Sequence, residues 1–497
     1  MKKLSAVLLF FFCFTAVLFA QDIFTLAKSG TPEQIQAAIN AGAKIDDRDK
    51  NGKTPLMYAA ESNENPDVIT ILLNAGAKID DKNKDGRTAL MLACFNNTNP
   101  DIITTLLKEG AKIEEINNFG ATPLMHAAAL NKNPEVIKVL LNAGAKIDHR
   151  DDDGGTPLIY AAIGNENPDV IKVLLNAGAK IDERDKDGKT ALMWAAGFNK
   201  NPVVITTLLN AGAKIDERDN DGKTALMWAA LFNENPDVIT ILLNAGAKID
   251  ERDNDGKTAL MWAALFNENP DVITILLNAG AKIDERDNDG KTPLMYAATN
   301  NKNPEVITTL LRAGAKIDDR DDNGFTPLMW AAMPFFNDNP AVIITTLLNA
   351  GADPTIKSGD GKTAFDYAQS NDKLKGTPAF EALRSATYGS ANKTVAQNSN
   401  TDWISTTSGS YRVERLWQEG SLTYALVSYR NTTSRTFKDR VTITALFYDA
   451  NNRMLDMEDK SLYASENGPM APSFESTVKI MSTCAGAKRV EVRISGY

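Results

Sequence analysis

A short pattern, Gly-x-Thr-(Pro/Ala)-(Leu/Phe), recurs ten times along this chain, beginning at Gly52, Gly86, Gly120, Gly154, Gly188, Gly222, Gly256, Gly290, Gly324 and Gly361. The first eight intervals are all 34 residues and the last is 37. A fixed period of this length implies stacked supersecondary units, none of which can bury its apolar face without a neighbour. Two of the units, residues 222–255 and 256–289, are identical residue for residue. Identical units repeat one chemistry at intervals, whereas a catalytic site needs dissimilar groups converging on one point.

Each unit reads as two short helices and a hairpin. In the unit from Gly222 to Asp255, Thr224 is placed to cap a first helix whose inward residues are Leu226, Ala229 and Ala230. Asn235-Pro236 opens a second helix, since proline suits the first helical position, and an Asn-Pro pair stands at this place in all nine full units. Val238, Ile239, Leu242 and Leu243 form an apolar stripe at helical spacing. Gly246 follows, where a left-handed helix end needs a residue without Cβ. The polar run Asp250 to Asp255 is the hairpin leading to the next unit.

These residues resemble the ankyrin-repeat family over residues 22–386, and the repeat domain is read as 21–386. The family's Thr-Pro-Leu-His-x-Ala run stands here as Thr-(Pro/Ala)-Leu-Met-(Tyr/Trp)-Ala-Ala, and its Leu-Leu-x-x-Gly-Ala run as Leu-Leu-Asn-Ala-Gly-Ala. Met57, Met91 and Met227 replace the family histidine, so a hydrogen-bonding role for that side chain is expected to be lost. The resemblance implies a mainly α solenoid of about nine full repeats, with a half-repeat cap at Asp22–Asn40 and another at Gly361–Ser385. With neighbouring helices at the usual ~10 Å, such a stack is long and curved.

The resemblance also implies a protein or peptide partner held on the concave face by the hairpin tips and by the two residues after each paired alanine. Those pairs include Gly197-Phe198, Leu231-Phe232 and Leu265-Phe266, with Phe335-Phe336 in the enlarged loop of the last full repeat. Two readings of the rings stand open: an exposed apolar contact strip, or rings folded under the hairpins to seal the stack. For the row Tyr58, Tyr160, Trp194, Trp228, Trp262, Tyr296 and Trp330, packing between repeats with only ring edges exposed is expected. On the hairpins, Asp221 with Lys223 and Asp255 with Lys257 read as solvated charges that would steer a basic partner.

Catalysis finds little footing. The two histidines, His126 and His149, are isolated variants of repeat positions, and no phosphate loop or nucleophile elbow is present. Asp253-Asn254-Asp255-Gly256 looks like the start of a calcium loop, but the glutamate such a loop needs is missing near Trp262. No enzyme activity, cofactor or metal is expected. The formal charge of -10 disfavours nucleic acid. Cys94 and Cys484 lie in different segments and read as buried thiols.

Residues 1–20 have the form of a secretory signal: Lys2 and Lys3, an uncharged apolar run from Leu4 to Phe19, and Ala20 at the cut. The competing reading is an uncleaved membrane anchor. Residues 387–402, rich in Ser, Asn, Thr and Ala, read as a linker. In residues 403–497 the period changes, and Leu422–Arg430, Val441–Tyr448, Phe474–Ile480 and Arg489–Ser495 are strand-like, with Val441, Ile443, Ala445 and Phe447 on one face. A small immunoglobulin-like β-sandwich is expected, and Phe447-Tyr448-Asp449 makes it resemble FxLYD-type domains of bacterial envelope proteins.

The expectation is thus an exported, periplasmic or secreted, monomeric scaffold without a transmembrane segment after cleavage. Its alternatives are a periplasmic inhibitor or chaperone-like stabiliser of an envelope enzyme, and a secreted effector binding a host protein. N-terminal analysis of the exported chain is predicted to begin at Gln21; an intact Met1 in the membrane fraction would establish the anchor instead.

Overall fold

The computed structural model describes residues 22–334, 339–388 and the strand residues 404–406, 409–419, 422–430, 440–448, 454–463, 475–482 and 489–496. They divide into two units, residues up to 331 and residues from 332 onward.

The first unit is a stack of helix pairs. In the repeat from Gly222, Thr224 Oγ1 accepts the amide of Met227, and the helix Ala225–Phe232 follows. Asn235 caps the second helix, Pro236–Asn244, by accepting the amide of Asp237. Leu226, Ala229, Ala230, Val238, Ile239 and Leu242 are buried, as the periodicity requires, and Leu243 is half-buried. Gly222 has φ +83°, and a Cβ there would lie 2.5 Å from Asn254 Oδ1 in the next hairpin, so both conformation and space demand glycine.

Two sequence-based expectations are corrected here. The N-terminal cap is a complete helix pair, Ile23–Ser29 and Pro32–Asn40, capped by Asp22 and Thr31. Its first helix escapes the repeat pattern because Asp22, not the Gly-x-Thr run, begins it. Nor is the methionine idle: Met57 Sδ accepts the amide of Thr54 at 3.4 Å, and Met125, Met261 and Met295 repeat this weak bond at 3.5 Å.

What joins one repeat to the next is a ladder of buried asparagines. Asn233 Nδ2 donates to Ala196 O at 2.9 Å and Asn199 O at 3.2 Å of the preceding repeat, while its Oδ1 accepts the amide of Asn235 at 3.0 Å. Asn63, Asn97, Asn131, Asn165, Asn199, Asn267 and Asn301 make the same pair of donations. The carbonyls they serve lie where the first helix ends and would otherwise be buried without partners. A second line of contact runs through the hairpins from Lys84 to Asp322, where the tip amide bonds the preceding tip's carbonyl, as Asn254 N does to Asp221 O at 2.9 Å. Arginines reinforce it: Arg252 Nη1 donates to Arg286 O at 2.8 Å, and its Nη2 pairs with Glu285 of the next repeat.

The second unit holds the helices Pro340–Asn349, Ala364–Ala368 and Pro378–Tyr388 and seven strands. The strands are β1 (Ile404–Thr406), β2 (Gly409–Glu419), β3 (Leu422–Arg430), β4 (Arg440–Tyr448), β5 (Met454–Tyr463), β6 (Glu475–Ser482) and β7 (Arg489–Gly496). They form two antiparallel sheets, β1-β2-β3-β6 and β5-β4-β7. Strands β1, β2 and β5 are additional to the four read from the sequence; in β2 the register shifts between Val413 and Arg415, which breaks the alternation that betrays a strand. These pairings establish two sheets; a packed sandwich needs their faces to meet as well.

Replacing Asn199 with alanine strips the partner from Ala162 O and Asn165 O. The expected loss is about 1–3 kcal/mol for each carbonyl left dry, against roughly 1 kcal/mol for Asn201→Ala, which removes a helix cap and an exposed bond to Glu166 O that water can replace. Equal urea midpoints for the two variants would contradict the ladder's role.

Candidate protein-binding face

The ends of the first helices and the hairpins beside them present one face of the first unit, and its most ordered feature is a row of rings tied to the hairpins. Asp219 Oδ1 accepts the amides of Asp221 at 3.0 Å and Lys223 at 2.8 Å, closing the hairpin, while its Oδ2 accepts Trp228 Nε1 at 2.8 Å. The same carboxylate holds Tyr58 through Asp49, Tyr160 through Asp151, Trp194 through Asp185, Trp262 through Asp253, Tyr296 through Asp287 and Trp330 through Asp321. Where the ring position is Leu92 or His126, the hairpin residue is Asn83 or Asn117. A charged acceptor is kept only where the helix supplies an O–H or indole N–H donor. The hydrogen bond to Asp49, with burial, pushes the Tyr58 phenol up to about 12. Burial first, and then the facing aspartate, raises Tyr160 and Tyr296 as well.

Lysines sit between successive rings. Lys189 Nζ lies 4.6 Å from the Trp194 centroid and 4.7 Å from that of Trp228. Lys223 stands 5.7 Å from Trp228 and 5.0 Å from Trp262, and Lys291 lies 6.0 Å from Tyr296 and 4.5 Å from Trp330. Each ammonium also meets the aspartate two residues earlier: Lys189 with Asp187 at 2.9 Å, Lys223 with Asp221 at 2.8 Å, Lys257 with Asp255 at 2.6 Å. The lysine sides of these pairs are shielded and the aspartates face solvent.

Beside this row stand the phenylalanines. Phe198, Phe232 and Phe266 are 40, 48 and 46% exposed, so they do not fold under the hairpins. Two of them are nonetheless held: Phe198 and Phe232 stack at 5.0 Å between centroids, Phe232 lies 5.7 Å from Trp228, and Phe198 lies 5.4 Å from Trp194. An open groove of about 480 Å³ passes Gly197, Phe198, Lys200, Phe232, Glu234 and Asn235.

Other expected contact residues fall elsewhere. Leu231 is only 5% exposed, packed into the stack rather than offered to a partner, and Leu265 is half-buried. Lys223, expected to be solvated, is 8% exposed because two rings and Asp221 enclose it, and Lys257 is half-buried for the same reason. Asp221 and Asp255 are exposed as expected. Phe335 and Phe336 lie outside the described residues. Sequence reading missed the asparagine ladder and the aspartate–ring bond; the alternation of Asp with Asn nine residues before the ring position was the available signal for the second.

The remaining chemistry-bearing groups are engaged. Cys94 is buried, which pushes its thiol up; Cys484 lies outside the described residues. His126 packs edge-on to Phe95 and its Nε2 meets Asn117 Nδ2 at 3.3 Å. His149 Nε2 lies 3.0 Å from Gly120 O. Among the described residues there is no group of three or more His, Cys, Asp or Glu placed to hold a metal, and no helix long and apolar enough to cross a membrane.

Burial, with the Arg87 charge adding to it, holds the His126 imidazole down to about 4. The unfolded chain, with a normal value near ~6.5, therefore takes up a proton that the folded chain refuses. Stability from this group is complete above that value and declines as pH falls toward 4, by about 2 kcal/mol at pH ~5. His126→Leu, which copies the Leu92–Asn83 repeat, is expected to flatten this part of the profile; a wild-type slope in the variant would count against the buried neutral imidazole.

Family models agree with this architecture. The model described as ankyrin repeats, three copies long, matches residues 23–117, 96–185, 162–253 and 230–321, and the single ankyrin-repeat model matches residues 323–359. A search of curated proteins finds no match. With most of its length covered by these matches and the repeat geometry they describe, the chain belongs to the ankyrin-repeat family.

Proposed function

We propose that this chain is an exported, monomeric scaffold that holds a protein or peptide segment along the row Phe198, Phe232 and Phe266. Ankyrin repeats are protein-interaction modules in general. The observation that carries the specific reading is that these large rings stand exposed at equivalent places in three successive repeats, with Phe198 and Phe232 fixed by stacking on each other and on the hydrogen-bonded tryptophans. Ordered, half-exposed aromatics offer apolar area at small entropic cost on binding. The exposed Asp187, Asp221, Asp255 and Asp289 edge this face with negative charge. Binding rather than catalysis suits a face whose ionisable groups are tied into repeating bonds.

The amino-terminal segment supports cleavage after Ala20 and delivery to the periplasm or the medium. The two C-terminal sheets fit an immunoglobulin-like sandwich of FxLYD type that docks to an envelope component. A partner from the chain's own envelope would make it a stabiliser or inhibitor of an enzyme there; a host protein would make it an effector.

Phe232→Ser with Phe266→Ser is expected to weaken partner capture at least tenfold and to shift the unfolding midpoint little. Burying such rings in a core would instead cost about 3–5 kcal/mol each on removal. A large drop in midpoint with capture intact would refute the contact row.

A further inference from the structure

The ten hairpins carry Lys53, Arg87, Ala121, Gly155, Lys189, Lys223, Lys257, Lys291, Phe325 and Lys362 at the position two residues after the tip. Lys189, Lys223, Lys257 and Lys291 each place an ammonium between two successive rings, beside the aspartate two residues before them. Where the cation is missing, the aspartate is usually missing too: Ala121 follows Phe119, and Phe325, itself against Trp330 at 5.3 Å, follows Asn323. Gly155 is the exception. Its aspartate, Asp153, is retained and exposed, and among the described residues it makes no ion pair. The flanking rings, Tyr160 and Trp194, are retained as well, each fixed by its own hairpin carboxylate.

We propose that the interval between Tyr160 and Trp194, beside Asp153, receives a lysine or arginine side chain from an extended segment of the partner; at its base a Cβ on Gly155 would lie 3.2 Å from Tyr160 Cε2, so the ammonium sits outward of Gly155. This rests on the protein-binding reading given above and names the chemistry that the partner must bring. Four lysines of the chain demonstrate that the arrangement of two rings and a carboxylate accepts an ammonium, and here the chain withholds its own. The surroundings tell what should flank the cation. On one side Phe119, 62% exposed, and Leu130 are bare; on the other Phe198 and Phe232 begin the apolar row. Between them the ring position after the paired alanines is Gly164, where a Cβ would lie 2.9 Å from Ala129 O, so nothing projects to obstruct a passing chain. One repeat step of ~10 Å corresponds to about three residues of extended chain. The matching segment is therefore apolar-x-x-Lys/Arg-x-x-apolar.

The test uses the full chain and the peptide acetyl-Phe-Gly-Gly-Lys-Gly-Gly-Phe-amide, with a counterpart carrying norleucine for lysine, titrated at low salt by calorimetry. The lysine peptide is expected to bind about tenfold more tightly, in line with a shielded cation–π contact and an ion pair. Gly155→Lys, which gives the site its own ammonium as in the neighbouring repeats, should erase that preference. Asp153→Asn should reduce it and serves independently if the first variant misfolds. Equal binding of the two peptides to the wild type, with both weakened by Phe198→Ser and Phe232→Ser, would overturn the cation seat and leave the apolar contact row standing. A lysine preference undiminished in both Asp153→Asn and folded Gly155→Lys would overturn the seat too. Binding of neither peptide would remove both.

Discussion

In eight successive repeats, from Asn63 to Asn301, one asparagine stands where the first helix ends. Its amide group gives both protons backward, to two carbonyls of the preceding repeat, and its carbonyl receives an amide of its own loop, as Asn233 does with Ala196, Asn199 and Asn235. Because these atoms are buried, no water substitutes for a misplaced partner, and an unmet carbonyl costs more than the bond itself contributes. Register between repeats is thereby specified at the helix ends, one or two residues from the rings at Phe198, Phe232 and Phe266. Apolar packing of Val238, Ile239 and Leu242 supplies the cohesion, but it is the polar ladder that says which carbonyl meets which repeat.

A second polar device orients the face proposed to bind a partner. One aspartate oxygen closes the hairpin and the other holds a ring nine residues on, so hairpin and first helix cannot move independently. The rings are presented with their polar atoms already satisfied, and lysines fill the intervals between them. Under the proposed reading, a partner meets aromatic surfaces that lose little freedom on binding, which favours affinity through preorganisation rather than through area.

Much of this was legible from sequence because local signals and the period agree: glycine at positive φ, threonine and asparagine caps, and proline opening each second helix. What escaped were bonds that no single repeat contains. The asparagine ladder joins residues 34 and 37 apart, and within one repeat Asn233 looks like an ordinary loop residue. Leu231 and Lys223 were misplaced for a related reason. Each was read from its own repeat, while its exposure is set by the next: Lys223 is enclosed by Trp262, one repeat ahead. The two identical repeats make the point directly, since Leu231, facing Leu265's repeat, is buried, whereas Leu265, facing Thr299's, is half-buried.

Identity between repeats also raises a problem of register for any extended partner. A face built only from copies of residues 222–255 would accept a segment equally well one repeat forward or back, and its contacts would add affinity without fixing position. If the proposed face holds such a segment, the departures from repetition carry the specificity. Toward the C-terminal side the apolar row ends at Asn300, which takes the place of Phe266 one repeat on. Toward the N-terminal side it is broken by Gly164 and Gly155, and beyond them Leu130 and Phe119 resume it. A segment long enough to touch both limits has one way to lie on this surface. The near-perfect repetition gives the stack a uniform lattice of hydrogen bonds, and its few irregular positions give that lattice an address.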